Sequence, residues 1–387
     1  MKQCRRLLTL FFVWTLICIP AALAEEVPEL LHQQVDAQAG SVSYPQLTGM
    51  ADAVAQQQAN AAILDAGQVE ERITRLQSLS ADSVGLTQTY EALQAGDVLS
   101  VAFSAQGALR DSGFTHLWST VNLDLSTGEP ITLADLFMDE TAARQAIMDY
   151  MDQQVAPTLS AHLEAGQLSP LPDTFAISEV GITFYYDLDR FTTLSGKAGK
   201  VTLLYTELQD LLKLGEGTIL TRLGAPSALT LDASSVEKIH AAVEAGQLPG
   251  IPAVVGESLT DLIARYPLRL DPDYFPGGLF FYPEDDAFRG AYVLTNELMV
   301  PDSWEYNIVQ GIRSDRANFY GLCTDVTTQE AWRAVLGEPD ATVTLGDDDA
   351  YAYYLDVGVS DYYNIGNRQL RLHADANGIL QSIFITQ

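Results

Sequence analysis

A nucleophile or a zinc site in this chain would have to be built from His32, His116, His162, His240, His373 and Cys323. The other two cysteines, Cys4 and Cys18, lie in an N-terminal apolar segment. Structural zinc takes Cys and His at short, paired spacings, and none of these residues stands beside another at such a spacing. The chain has no His-Glu-x-x-His helix and no Gly-x-Ser-x-Gly elbow. Ser195 to Thr202, "SGKAGKVT", lacks the first glycine of a phosphate loop and the Ser/Thr directly after Gly-Lys. It reads as an exposed basic turn. Cys323, a lone thiol, reads as a small buried hydrophobe. No metal and no cofactor is expected.

Carboxylates are abundant, with 51 Asp and Glu. Asp187 with Asp189, Asp271 with Asp273, and Asp347-Asp348-Asp349 could each touch calcium, which needs six to eight oxygens from a defined loop. Asp375-Ala376-Asn377-Gly378 falls short of the EF-hand pattern, and all of these read as solvated turns. A glycan hydrolase needs only two well-placed carboxylates, so a carboxylate-based cell-wall hydrolase stays open as an alternative. So does a structural accessory protein of an envelope complex. The favoured reading is non-enzymatic.

Aromatic side chains offer another chemistry, the anchoring of a protein or glycan. Trp118, Tyr185, Tyr351, Tyr353 and Tyr362 fall in strands or adjoining loops, and core packing competes with contact at each. In "HLWSTVNLDL", Leu117, Val121, Leu123 and Leu125 share one face with the small Ser119. Trp118, Thr120 and Asn122 point the other way, with His116 on their side. His116, Trp118, Thr120 and Asn122 are therefore the candidate partner-binding residues.

Compartment and charge narrow the partner. Lys2, Arg5 and Arg6 precede the apolar run "LLTLFFVWTLICI", and Ala22-Leu23-Ala24 follows Pro20. This is the layout of a secretory signal peptide over 1–24, too short for a spanning helix; an uncleaved anchor is the rival. The chain is expected to be secreted, with no membrane insertion after cleavage. Its formal net charge is −30, and loss of the basic signal residues makes the balance more acidic still. A field of that sign repels nucleic acid and attracts a basic protein, though acidity can also serve solubility alone.

The elements that would hold these residues indicate an α+β chain, with a mainly antiparallel sheet, flanking helices and a second, smaller helix-plus-sheet domain. Residues 25–42 read as a polar leader. Helices are expected from about Met50 to Leu64, with Met50, Val54, Ala61 and Leu64 inward, and from Val69 to Leu79. "VLSVAFSA" and "HLWSTVNLDL" alternate with period two, as half-buried antiparallel strands do. A turn at Ser126-Thr127-Gly128-Glu129, a helix in "ETAARQAIMDYMDQQV" and strands in "GITFYYDL" and "KVTLLYTEL" complete a domain over 43–213.

Several stretches stand in an order that resembles a known module. They are "YPQLTGMADAVAQQQANAAI", "GDVLSVAFS", "VNLDLSTGEPITLADLF" and "ISEVGITFYYDLDRFTTLSGKAGKVTLLYTEL". Together they are similar to the exported domain pair of RsiV-like anti-sigma factors and to the non-catalytic N-terminal region of PdaC-type peptidoglycan deacetylases. Leu123 to Phe137 carry the closest match and Gly181 to Leu208 a looser one. Only six residues precede the apolar run, where an anti-sigma factor carries its sigma-binding segment. The paired Asp and clustered His of a deacetylase domain have no match. The resemblance therefore implies a domain-of-unknown-function scaffold used for recognition, and a lysozyme-like basic protein or a cell-wall component as partner.

Residues 214–250 read as a connector with a short helix, in which Ser234 and Glu237 have capping-box spacing and Gly246 suits the C-terminal cap. Within 251–387, "GESLTDLIARYP" and "DVTTQEAWRAVLGEP" are each followed by aromatic-rich strands, which suggests internal duplication. Asn377-Gly378 is the strongest hairpin signal. The second unit weakly resembles beta-lactamase-inhibitor-like and outer-membrane-assembly modules, which usually bind other proteins.

Overall fold

In the computed structural model, residues 28–387 are described apart from 81–83, 111–112, 157–167, 188–198, 209, 226–228, 271–278, 285–287 and 296–306. The signal segment 1–24, His162, Asp189, Asp271 and Asp273 lie outside the described residues. The fold is α+β, with several mainly antiparallel sheets and flanking helices.

The polar leader proves to be a β-hairpin. β1 (Glu29–Ala37) pairs along its whole length with β2 (Gly40–Thr48). β1 is the outermost strand of its sheet and has no buried residue. A strand wetted on both faces needs no apolar alternation, and polar side chains discourage further pairing at a sheet edge. Composition therefore made it look like a tail. β2 runs parallel to β3 (Leu86–Ala95), starting at Gly40 opposite Leu86. There the backbone comes so close that a Cβ on Gly40 would lie 2.0 Å from the Leu86 carbonyl oxygen, and φ is +139°. Only glycine fits.

The parallel connection is made by α1 (Ala53–Ala66) and α2 (Val69–Ser78). Asp52 starts α1 by accepting hydrogen bonds from the N–H groups of Val54 and Ala55. The buried stripe is Ala55, Ala59 and Ile63, not the expected Val54 stripe; Val54 is exposed. Small residues let the helix sit close on the sheet, and hydrophobicity alone pointed to the wrong stripe.

β3, β4 (Val98–Arg110) and β5 (Gly113–Asp124) form an antiparallel meander, ended by the short β6 (Glu129–Pro130). Leu99, Val101 and Phe103 join Val121, Leu123 and Leu125 under α1. Past β6 come α3 (Leu133–Leu136) and α4 (Glu140–Tyr150), which runs into a π-turn over Met151–Val155. β7 (Phe175–Ile177), β8 (Gly181–Tyr185) and β9 (Lys200–Leu204) form a second antiparallel sheet, followed by α5 (Tyr205–Leu208) and α6 (Ile219–Leu223). Their shared core extends from Val98 to Ala225.

The stretch 214–250 is more than a connector. α6 buries Leu220 and Leu223 in the first core, whereas α7 (Ala233–Ala245) buries Ile239 and Val243 in the second. The capping box of α7 is formed by Asp232 and Ser235 rather than Ser234 and Glu237. Gly246 does close the helix, at φ 72°.

The C-terminal sheet contains two helix-plus-four-strand units. α8 (Leu259–Arg265) precedes β10 (Leu268–Leu270), β11 (Leu279–Pro283), β12 (Ala291–Thr295) and β13 (Val309–Ser314). A small ladder, β14 (Asn318–Phe319) with β15 (Leu322–Cys323), separates the units. α9 (Gln329–Leu336) then precedes β16 (Ala341–Leu345), α10 (Asp347–Ala352), β17 (Gly358–Ile365), β18 (Arg368–Asp375) and β19 (Leu380–Thr386). The strand order is β10-β11-β12-β13-β19-β18-β17-β16, so the last strand of each unit meets the other at the centre.

The match between the units extends to details. Ser258 caps α8 and bridges Ile308, just before β13; Thr328 caps α9 and bridges Ile379, just before β19. Arg313 lies opposite Phe384, flanked by Ile312 with Ile385 and Ser314 with Ile383. The step from Ile308 to Arg313 equals the step from Ile379 to Phe384. The pairing is therefore self-consistent under exchange of the two units.

Candidate functional site

β6 covers only the Leu123–Asp124 end of β5, and among the described residues no strand pairs its outer edge around Trp118. An unpaired edge leaves backbone donors to be satisfied otherwise. Here the Trp118 N–H donates to Asp187 Oδ1 at 3.3 Å. The Trp118 ring lies 5.0 Å from His116 and 5.1 Å from Tyr185, centroid to centroid. Lys200 Nζ sits 5.0 Å from the Trp118 ring centre and 3.2 Å from Glu91 Oε1. His116 is anchored by a 2.8 Å hydrogen bond between Nε2 and Ser104 Oγ. Trp118 and His116 are both half-buried. An aromatic clasped by a cation and two rings is a rigid rim, and rigidity favours an anchor role.

The other two candidates do not share that rim. Asn122 is only 3% exposed. Its Nδ2 donates to the Phe175 carbonyl at 2.8 Å, and its Oδ1 accepts from Ser100 Oγ at 2.6 Å and from the Ile177 N–H at 3.3 Å. Thr120 Oγ1 accepts from the Phe175 N–H at 2.9 Å. The polar face of β5 is thus split: its Asn122 end holds the backbone of β7, and only its Trp118 end reaches solvent. Buried backbone groups must be paired, and these side chains do that work. Period two revealed that the face was polar but not what lay on it.

Under Trp118 the edge folds over a cavity of about 200 Å³ lined by Gln68, Arg72, Gln88, Leu117, Ser119 and Asp187, among others. Gln68, Arg72 and Gln88 carried no sequence signal. Gln68 has φ 46°, a left-handed conformation uncommon outside glycine and Asn/Asp.

The remaining candidates disperse. His32 bonds Tyr90 Oη at 3.1 Å, and His240 is exposed. His373 is fully buried, with Nδ1 3.0 Å from Ser360 Oγ and Nε2 2.9 Å from the Asp356 carbonyl. Burial pushes the Cys323 thiol up to about 12, so it is no thiolate nucleophile at neutral pH. Among the described residues, no three His, Cys, Asp or Glu side chains converge as a metal site would need. No described helix is long and apolar enough to cross a membrane.

The C-terminal sheet holds a row that the sequence did not flag. Tyr292 lies opposite Arg313, Arg313 opposite Phe384, Phe384 opposite Arg371 and Arg371 opposite Tyr362. The Arg313 guanidinium is 4.5 Å from the Tyr292 ring centre, and that of Arg371 is 4.6 Å from Phe384. Guanidinium planes stack well on aromatic faces. The Tyr353 and Tyr354 carbonyls receive Arg313 and seal the middle of the row.

No protein-family model matches the chain, and no curated protein matches it. Three of the matching solved structures are similar to part of the chain. A DUF3298 family member from Bacteroides fragilis is 17% identical, with TM-score 0.37, over 51% of this chain and 97% of its own. A DUF3298 family protein from Pseudomonas aeruginosa is 14% identical, with TM-score 0.34, over 48% and 94%. A DUF4309 family protein from Bacillus subtilis is 14% identical, with TM-score 0.29, over 40% and 97%. The two DUF3298 structures each cover about half of this chain.

Proposed function

We propose that this chain is an extracytoplasmic binding or sensing module, and that a basic, lysozyme-like protein docks at the β5 edge around Trp118. The single observation that carries this reading is Trp118 held half-exposed on a strand edge that no described strand pairs. The signal-like N-terminus supports export, and the net charge of −30 supports a basic partner. The sequence resemblance to exported RsiV-like and PdaC-type modules points the same way. Net charge should steer encounter, while a few anchors set the lifetime of the complex.

The test is surface-plasmon kinetics with hen lysozyme over immobilised protein. Association should slow as salt rises, and Trp118→Ala should speed dissociation. Absence of any binding at low salt would remove the lysozyme-like partner. An unchanged off-rate in Trp118→Ala would remove the site.

A further inference from the structure

β16 is the last strand of the eight-stranded C-terminal sheet, and among the described residues no strand or backbone bridge pairs its outer edge. Every second residue of such a strand turns its N–H and C=O outward, which makes a template for another chain. Edges are normally guarded by charge, proline, a bulge or short length. β1, the edge of the first sheet, carries Glu29, His32 and Asp36. β10, at the far end of the C-terminal sheet, is three residues long with Arg269 at its centre. β16 has none of these guards. Its sequence is Ala341-Thr342-Val343-Thr344-Leu345, its register with β17 runs without a bulge, and its first four residues are exposed.

The strand is also held in place. Thr342 Oγ1 donates to Asp361 Oδ1 at 2.7 Å and receives Arg333 Nη2 at 3.3 Å. Asp340 Oδ2 accepts the Asn364 N–H at 2.6 Å, and Leu345 is buried. A preordered edge lowers the ordering cost of adding a strand. Ala341, Val343 and Leu345 lie on one face and Thr342 and Thr344 on the other, so an added strand meets an apolar row and a hydroxyl row.

Charge decides the occupant. Glu338 and Asp340 precede the strand, and Asp347, Asp348 and Asp349 follow it. All five are exposed, and among the described residues none is in an ion pair. The nearby Arg333 is taken by the buried Asp361 at 2.6 Å. A second copy of this chain, added antiparallel about Val343, would bring Asp340 to the Asp347 end of its neighbour at both ends of the pairing. Like charge opposes that arrangement, and each molecule carries a net charge of −30. A segment with Lys or Arg on both sides of its paired residues instead meets opposite charge at either end.

We propose that β16 is a docking edge for an extended segment of another protein, β-branched at its centre and basic on both flanks, which adds to the sheet as a further strand. Main-chain hydrogen bonds supply the affinity, and the Val343 row sets the register. The proposal does not rest on the β5 edge, which belongs to a different sheet.

The probe is a fluorescein-labelled peptide, KRVTVTVRK, titrated with the protein at low salt and followed by anisotropy. KRVPPTVRK has the same charge but two adjacent prolines, one of which must face the ladder without a donor. The first should saturate, and the second should bind at least about tenfold more weakly. Val343→Lys, which installs a natural edge guard, should weaken the first peptide by at least about tenfold. Asp347→Asn with Asp348→Asn should weaken it by about threefold and flatten its salt dependence. Amide hydrogen exchange in β16 should slow when the peptide is bound. Trp118→Ala should leave peptide affinity unchanged. A melt of each variant shows that it is folded.

No saturation up to about 1 mM KRVTVTVRK, equal binding of the proline peptide, or unchanged affinity in Val343→Lys overturns the proposal. Sedimentation that finds the protein alone as a dimer, turned to monomer by Val343→Lys, gives the edge to a second copy and overturns it too. Loss of peptide affinity in Trp118→Ala places the peptide on the β5 edge and rejects the β16 assignment.

Discussion

Arg316 grips Glu207 across the boundary between the two cores, through Nε at 3.1 Å and Nη2 at 2.8 Å. Arg316 Nη2 also donates to the Thr202 carbonyl at 3.1 Å, and Tyr150 Oη donates to Glu207 Oε1 at 2.8 Å. Arg289 adds a second cation, 3.9 Å from the same carboxylate. Burial, then the charge on Glu207, pushes the Tyr150 phenol up to about 12. The carboxylate is thus the hub that joins the N-terminal domain to the C-terminal sheet.

Replacing Glu207 should uncouple the halves. Glu207→Gln keeps the shape but leaves two guanidinium groups without their shared counter-charge, which should cost about 3 kcal/mol. Differential scanning calorimetry should resolve two transitions where the parent protein gives one. A single unshifted transition would show that the contact does not couple the cores.

Asp361 governs acid stability of the C-terminal sheet. It accepts from Arg333 Nη2 at 2.6 Å, Trp332 Nε1 at 3.0 Å and Thr342 Oγ1 at 2.7 Å. Burial alone would raise its carboxyl, but the hydrogen bonds from Arg333, Thr342 and Trp332 hold it below the usual range. A depressed folded value contributes stability above about pH 4, lost as pH falls through the folded pKa. Asp361→Asn should therefore destabilise the protein at pH 7, and the gap should shrink below about pH 4. Urea melts across pH check this; a gap that stays constant rejects it.

His373 should oppose folding when protonated. Burial lowers its pKa, and the nearby Arg371 and Arg313 charges add to the effect against the Asp356 carbonyl. Arg371 Nε donates to Ser360 Oγ at 3.0 Å, so the hydroxyl is oriented to donate onward to His373 Nδ1. The neutral ring then donates from Nε2 to the Asp356 carbonyl. Stability from this site is full above about pH 6.5 and declines below it toward the lowered folded value. Nuclear magnetic resonance titration should find the His373 midpoint below the ordinary histidine value of about 6.5; a midpoint at or above that value contradicts the assignment.

Asn122→Ala and Trp118→Ala should separate structure from contact. The first takes the Nδ2 donor from the Phe175 carbonyl and the acceptor from the Ser100 hydroxyl, while the Ile177 N–H keeps Ser100 Oγ at 3.1 Å; it should cost about 2–3 kcal/mol without altering partner dissociation. The second removes a half-buried ring and should cost less than the 3–5 kcal/mol expected of a fully buried tryptophan. Thermal melts beside binding kinetics check both. A larger loss of stability for Trp118→Ala than for Asn122→Ala reverses the assignment.

Local sequence determined the period-two strands of the first sheet, both faces of β5, the Gly246 helix stop and the repeated helix-plus-strands units of the C-terminal half. These features are local because alternation, caps and turns depend on neighbours a few residues away. Tertiary structure decided what covers each face. β7 claims Thr120 and Asn122, the edge position of β1 turns a polar tail into a strand, and the alanine stripe of α1 outcompetes Val54. It alone brings Gln88 and Arg72 beneath Trp118, and Glu207 against Arg316. Such contacts join residues far apart in the chain, and a strand edge without a partner becomes visible only when the whole sheet is in place.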